Sequence, residues 1–187
     1  MMRIRKYSPW AEPVMFLLFS ALLVLVTAAW QPVTCGNDAA SIERYIYREM
    51  GEELKDHVEL LSIGVCGKDR IVIFRRERAR PDEVWVTRFR QNENGDYAEY
   101  YGYMRPMPEE HEGTYSYFVD ALGRDGSPGY FTVWSEDPQL ASVSIAFNRE
   151  PEQSIPITEY PSLTLLECPE HWSHAEYLFY DAQGREL

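Results

Sequence analysis

The residues that could do chemistry are thinly spread along this chain of 187. The spacing nearest to a metal site is Glu170-His171-Trp172-Ser173-His174-Ala175-Glu176. A helix would put His171 and His174 on one face at i, i+3, and a strand would send them to opposite faces. Two histidines without a positioned third ligand fall short of a zinc site. Pro169 ahead of them and a strand behind them predict a solvated loop. Glu109-Glu110 beside His111 has the groups for acid–base work or for Ca²⁺, although adjacent carboxylates ordinarily face solvent. Asp120 and Asp125 around Gly123 and Gly126 lack the D-x-D-x-D-G ligand series and read as a turn cluster. The chain contains no G-x-S-x-G, H-E-x-x-H, C-x-x-C, Walker-type or G-x-G-x-x-G pattern. No catalytic residue, metal ligand set or cofactor is therefore assigned. The leading expectation is a non-enzymatic binding or interaction module. The alternative is an exported hydrolase or metal-dependent enzyme using the His171/His174 region.

Two groups of residues are suited to binding. Between Lys68 and Arg90 eight basic side chains face four acidic ones, a local +4 in an otherwise acidic chain. Arg75, Arg76, Arg78 and Arg80 gather at one end of an expected hairpin. There they could meet lipid headgroups or an anionic cell-surface polymer, or pair with the domain's own carboxylates. The second group is aromatic. Strict alternation through Tyr97, Glu99, Tyr101 and Tyr103 puts three tyrosines on one strand face, opposite Ala98, Tyr100, Gly102 and Met104. Such a face could stack sugar rings or dock a partner protein, or lie packed as core.

The elements that must position these residues follow from composition and pattern. One domain with a real core fits this length, and 45% hydrophobic with 14% aromatic residues excludes intrinsic disorder. The net charge is -12 overall and -14 over residues 36–187, a poor match to the phosphates of nucleic acid. Arg3, Arg5 and Lys6 form a basic flank within residues 1–13, followed by 17 uncharged residues from Val14 to Trp30 (VMFLLFSALLVLVTAAW). That length lies between a signal-peptide core and a full span. Trp10 and Trp30 would serve as interfacial anchors, while Thr27, Ala28 and Ala29 would suit a peptidase. The expectation is a transmembrane anchor over 14–30 in the cell membrane, with the N-terminus inside and the C-terminal domain outside. The alternative is secretion after signal cleavage. Lipid attachment at Cys35 is a third reading, opposed by the Pro32-Val33-Thr34 that precedes it. Residues 31–40 (QPVTCGNDAA) read as a tether and 41–187 as the extracytoplasmic domain.

That domain reads as α+β, mostly antiparallel β-sheet or sandwich with one amphipathic helix. Ile42, Tyr45, Ile46 and Glu49 recur at helical spacing over 41–50, with Asp38 or Ser41 as the cap and Gly51 as the stop. The period then changes to two. Val58–Val65, a turn at 67–69 and Arg70–Arg76 make one hairpin; Val84–Arg90, a turn at Asn94-Gly95 and Asp96–Met104 make a second. Short strands are expected over 114–119, 130–134, 141–147, 154–158, 162–167 and 176–180, with a strand-turn-strand ending around Gly184. Cys66 and Cys168 are candidates for a disulfide, or for two separate buried thiols, and Cys35 stays unpaired either way. The run KDRIVIFRR, the strand VWVTRFR leading to NGDYAEYY and the YDAQGREL ending resemble small uncharacterised exported or membrane-anchored proteins of Gram-positive bacteria. The resemblance implies location and fold, and brings no catalytic residues.

Overall fold

A computed structural model describes residues 11–29, 34–50, 58–76, 80–119, 127–148 and 150–187. They fall into two compact units, Met1–Val33 and Thr34–Leu187. The first holds helix α1, Ala11–Ala29. Its side chains are described from Pro13 to Leu22 and at Val24. Val14 through Phe19, Leu22 and Val24 are each at least half exposed, a run of apolar groups turned outward. Over the described residues, no helix is long and apolar enough to cross a membrane.

The second unit is α+β, mostly antiparallel. Helix α2 (Ala39–Met50) is followed by strands β1 (Val58–Cys66), β2 (Asp69–Arg76), β3 (Arg80–Gln91) and β4 (Tyr97–Pro106), which form one sheet in the order β1-β2-β3-β4. Strands β5 (Glu109–His111), β6 (Thr114–Val119), β7 (Tyr130–Ser135) and β10 (Ser162–Glu167) form a second sheet in the order β10-β7-β6-β5. A third sheet, β11-β8-β9, takes β8 (Ser142–Phe147), β9 (Gln153–Pro156) and β11 (Ala175–Tyr180). All pairings are antiparallel.

Alternation along two strands explains how these elements stack. In β2, Ile71 and Ile73 pack with Val84, Val86, Tyr130 and Trp134 toward the second sheet. Val72 and Phe74 point the other way, onto Ile42, Tyr45 and Ile46 of α2. In β7, Tyr130 and Trp134 face the first sheet while Phe131 and Val133 enter a core with Val143, Ile145, Phe147 and Phe179 of the third. The order of layers is thus α2, first sheet, second sheet, third sheet. A strand buried on both faces reads as a near-continuous apolar run, and IVIF and YFTVW are such runs.

Helix α2 starts where the capping pattern places it. The Asp38 carboxylate accepts the Ser41 N–H at 2.8 Å, and the Ser41 hydroxyl in turn accepts the Asp38 N–H at 3.1 Å. The second hairpin turns on Asn92, whose side-chain oxygen accepts the N–H groups of Asn94 (2.9 Å) and Asp96 (3.0 Å), with Gly95 at φ 88°. The chain closes as expected. Gly184 has φ 73°, Tyr180 bridges Glu186, and Asp181 accepts the N–H groups of Gln183 and Arg185.

Candidate functional site: the turn end of the first sheet

The four strands of the first sheet have two ends, and the basic residues divide between them. The turns at 67–68 and 92–96 lie together at one end, joined by a hydrogen bond from the Gln91 N–H to the Lys68 carbonyl at 2.8 Å. Arg75 and Arg76 lie at the other end of β2, roughly 20 Å from Arg70 at about 3.4 Å per residue.

At the turn end the chain N-terminal to α2 is stitched to the sheet. Thr34 bridges Ala98, and the N–H groups of Cys35 and Gly36 both donate to the Tyr97 carbonyl at 3.1 and 3.0 Å. The Asn37 amide donates to Asp96 at 2.9 Å and its oxygen accepts the Tyr97 N–H at 2.7 Å. Arg70 completes the clamp. Its guanidinium donates to the carbonyls of Gly36 and Asn37 and lies 3.9 Å from the centre of the Tyr97 ring. An arginine suits this place because one planar fork serves two carbonyls while its face covers an aromatic ring. Residues 34–40 of the stretch read as a tether therefore belong to the domain. Cys35 is buried at 4% exposure among Ile42, Tyr45 and Phe89, and burial pushes its thiol above the usual range.

On the opposite face of the same strands lies a closed polar cluster. Arg88 and Asp69, 0% and 1% exposed, form a two-pronged ion pair: Nε donates to Oδ1 at 3.0 Å and Nη2 lies 2.8 Å from Oδ2. The Tyr130 hydroxyl donates to Asp69 Oδ2 at 2.9 Å. Burial, reinforced by that carboxylate, pushes the Tyr130 phenol well above its ordinary range. The Arg88 guanidinium also sits 4.3 Å from the Tyr100 ring centre and 5.1 Å from that of Tyr130, and the Tyr100 hydroxyl is hydrogen-bonded to Ser127. The Asp69–Arg88 pair joins β2 to β3, Tyr100 ties β4 to Ser127 ahead of β7, and Tyr130 joins the two sheets. Its chemistry is that of a polar fastener.

The residues singled out from sequence are distributed as follows. Arg75 donates to Glu59 at 2.6 Å and reaches Glu136 at 3.4 Å, so it is paired within the domain and its guanidinium is held above its usual range by Glu59. Arg76 is half-buried. Arg78 and the side chain of Arg80 lie outside the described residues. Tyr97 is half-buried under Arg70, and the side chains of Tyr101 and Tyr103 lie outside the described residues. The expected alternation fails in β4. Phe89 pairs with Glu99 but Thr87 pairs with Met104, so three extra residues bulge between them. An odd insertion reverses the faces, and Met104 joins Tyr97 against the α2 core instead of opposing it.

The cysteine bridge is not formed, and all three thiols are free. Cys66 packs against the core between the first and second sheets, whereas Cys168 belongs to the core on the other side of the second sheet. Burial pushes the Cys168 thiol up to about 12. The histidine segment is a loop, as its flanks predicted. His171 turns at φ 65°, His174 is exposed beside Glu176 at 3.2 Å, and Trp172 does the packing: it stacks on Phe118 at 4.8 Å and meets Phe147 edge-on at 5.5 Å. Among the described residues no three His, Cys, Asp or Glu groups converge to hold a metal ion. Nor do Glu109, Glu110 and His111 act together. Glu109 accepts the Gly113 N–H at 3.0 Å and Glu110 accepts from Ser116 (2.8 Å) and Tyr177 (3.0 Å), while His111 lies 3.4 Å from Asp137.

Sequence reasoning missed the Arg70 clamp and the Asp69–Arg88 pair. An Asp and an Arg nineteen positions apart carry no local signal until strand register puts them side by side. Comparison with family models, with curated proteins and with solved structures finds no match for this chain.

Proposed function

We propose that this chain is a membrane-anchored extracytoplasmic domain that works by binding and not by catalysis. The observation that carries the reading is helix α1, in which Val14 through Phe19, Leu22 and Val24 are exposed apolar side chains. Burying one such side chain is worth about 1.5–3 kcal/mol, so this run of exposed apolar groups is suited to lipid. The uncharged run extends in sequence to Trp30, and Arg3, Arg5 and Lys6 ahead of it favour an inside N-terminus. The resemblance to exported proteins of Gram-positive bacteria points the same way. Non-enzymatic action is supported by where the polar groups go: Asp69, Arg88, Tyr130, Glu110 and Tyr177 are all engaged in fastening strands and sheets together.

The test is to express the full chain with a C-terminal epitope, separate membranes, wash them at alkaline pH and treat intact cells with external protease. The chain should stay with the washed membranes and lose its epitope to the protease. Recovery in the soluble fraction, or an epitope protected in intact cells, overturns the location. In-cell cross-linking then tests binding. A domain recovered solely as the uncross-linked chain, in place of a defined adduct, overturns the binding role.

A further inference from the structure

We infer that the tip of the β1–β2 hairpin, Ile63 to Lys68, is a second membrane contact that holds the domain against the bilayer surface. The inference rests on the anchored reading above and adds which surface of the domain faces the lipid.

The hairpin tip carries an exposed apolar pair. Ile63 and Val65 are 44% and 57% exposed in a strand whose intervening residue, Gly64, faces inward. A side chain at Gly64 would run into Leu165 and Leu163 of β10, 2.6 and 2.9 Å from where its Cβ would stand. The strand is thus pressed onto the core by its inner face and leaves two branched apolar groups outside. Helix α2 covers Val72 and Phe74 of the neighbouring strand, and Ile63 and Val65 remain uncovered. Exposed Lys68 stands at the turn, the place where a long basic side chain reaches headgroups while apolar neighbours lie in the interface.

The occupant follows from where the chain arrives. Val65 is the register partner of Arg70, the residue that clamps the carbonyls of Gly36 and Asn37. The apolar pair and the docked N-terminal segment share one end and one face of the first sheet. Four residues, 30–33, lie between the last residue of α1 and Thr34. Five peptide steps reach at most about 18 Å when fully extended. A domain tied that closely, by a segment that is itself fixed to the turn end, presents the turn end to the bilayer. Arg75, Arg76 and Arg80 lie toward the other end of the strands. Lipid is therefore the partner for Ile63 and Val65.

The full chain should be reconstituted into vesicles of phosphatidylethanolamine and phosphatidylglycerol carrying a clickable acyl chain, with p-benzoylphenylalanine in place of Ile63, Val65 or Leu178. Leu178, 41% exposed on the third sheet, is the control of matched exposure. Flotation is read first, photo-adducts second, and a thermal melt shows that each labelled chain is folded. Lipid adducts at 63 and 65, several-fold above those at 178, are expected. Equal yields at all three sites, or adducts at 63 and 65 to a second protein chain in place of lipid, overturn the inference while leaving the anchor intact. A chain that does not float with the vesicles overturns the anchor itself.

Discussion

The Asp69–Arg88 pair gives the sharpest test of how the two larger sheets are joined. Both side chains are essentially without exposure, and their attraction is expressed through two contacts of 3.0 and 2.8 Å with a third hydrogen bond from Tyr130. Asp69→Asn removes the negative charge and keeps the shape, leaving the Arg88 guanidinium buried without its counter-ion. Breaking a buried pair from one side costs about 3–5 kcal/mol, a large share of the ~5–15 kcal/mol that holds a domain together. For a unit of this size each kcal/mol moves the midpoint by roughly 2–4 °C, so the variant should melt roughly 6–20 °C below the parent. Removing both charges is different in kind. Asp69→Asn with Arg88→Met leaves no uncompensated ion, and replacement of a whole buried pair by neutral groups is often close to neutral. The double variant should therefore recover much of the loss. Arg75→Gln is the contrasting control: its partners Glu59 and Glu136 are 43% and 46% exposed, and such pairs contribute about 0–1 kcal/mol. Thermal melts followed by circular dichroism on the full chain in detergent would read all three. The reasoning is refuted if Asp69→Asn melts with the parent, or if the double variant is less stable than Asp69→Asn alone.

Three further outcomes are expected. A maleimide added to the native chain should modify Cys66 ahead of Cys35 and Cys168, which are 4% and 6% exposed, and denaturation without reductant should release three reactive thiols, counted by mass. Stability should fall on the alkaline side. The Cys168 thiol titrates near 12 in the fold and near 8.5 when unfolded, so its contribution is complete below about pH 8.5 and is lost as pH climbs toward 12; the raised Tyr45 and Tyr130 phenols add to that loss above about pH 10, visible in melts from pH 8 to 11. Gly36→Ala would set a Cβ 2.7 Å from the ring of fully buried Phe89, a strain of about 1–3 kcal/mol that should release the docked segment and speed limited proteolysis between residues 31 and 38.

What sequence revealed, and what it withheld, follows from the range of each interaction. The start of α2 was legible because Asp38 and Ser41 lie three positions apart and satisfy each other locally. Strands β2 and β7 were legible because burial on both faces leaves each with a run of buried, largely apolar residues, IVIF in the one and YFTVW in the other. Strand β5 was not, since Glu109-Glu110-His111 carries the composition of a loop and forms a strand only because Thr114–Tyr115 offers it an edge. The three-residue bulge in β4 was equally hidden, as alternation read from sequence assumes that no residue is left over.

The arginines make the same point about function. By sequence, Arg75 to Arg80 formed the conspicuous cluster, whereas Arg70 and Arg88 were single residues in apolar strands. Structure reverses their interest, because what a guanidinium does depends on which acceptors the register delivers to it. Arg75 receives two carboxylates, Arg88 receives Asp69 and two tyrosine rings, and Arg70 receives the carbonyls of a segment thirty-odd positions upstream. Only Arg70 is coupled to chain arriving from outside the sheets. A change there should alter how the domain is carried before it alters how the domain folds. Its guanidinium is part-exposed, so Arg70→Met should lower the midpoint by only a few degrees at about 1 kcal/mol per lost hydrogen bond. The same substitution should free residues 34–37 for hydrogen exchange and reduce lipid adducts at position 65, since a domain on a loosened tether no longer has to present that edge. A loss of global stability comparable to Asp69→Asn, with exchange at 34–37 unchanged, would place Arg70 in the core and remove its role as the clamp.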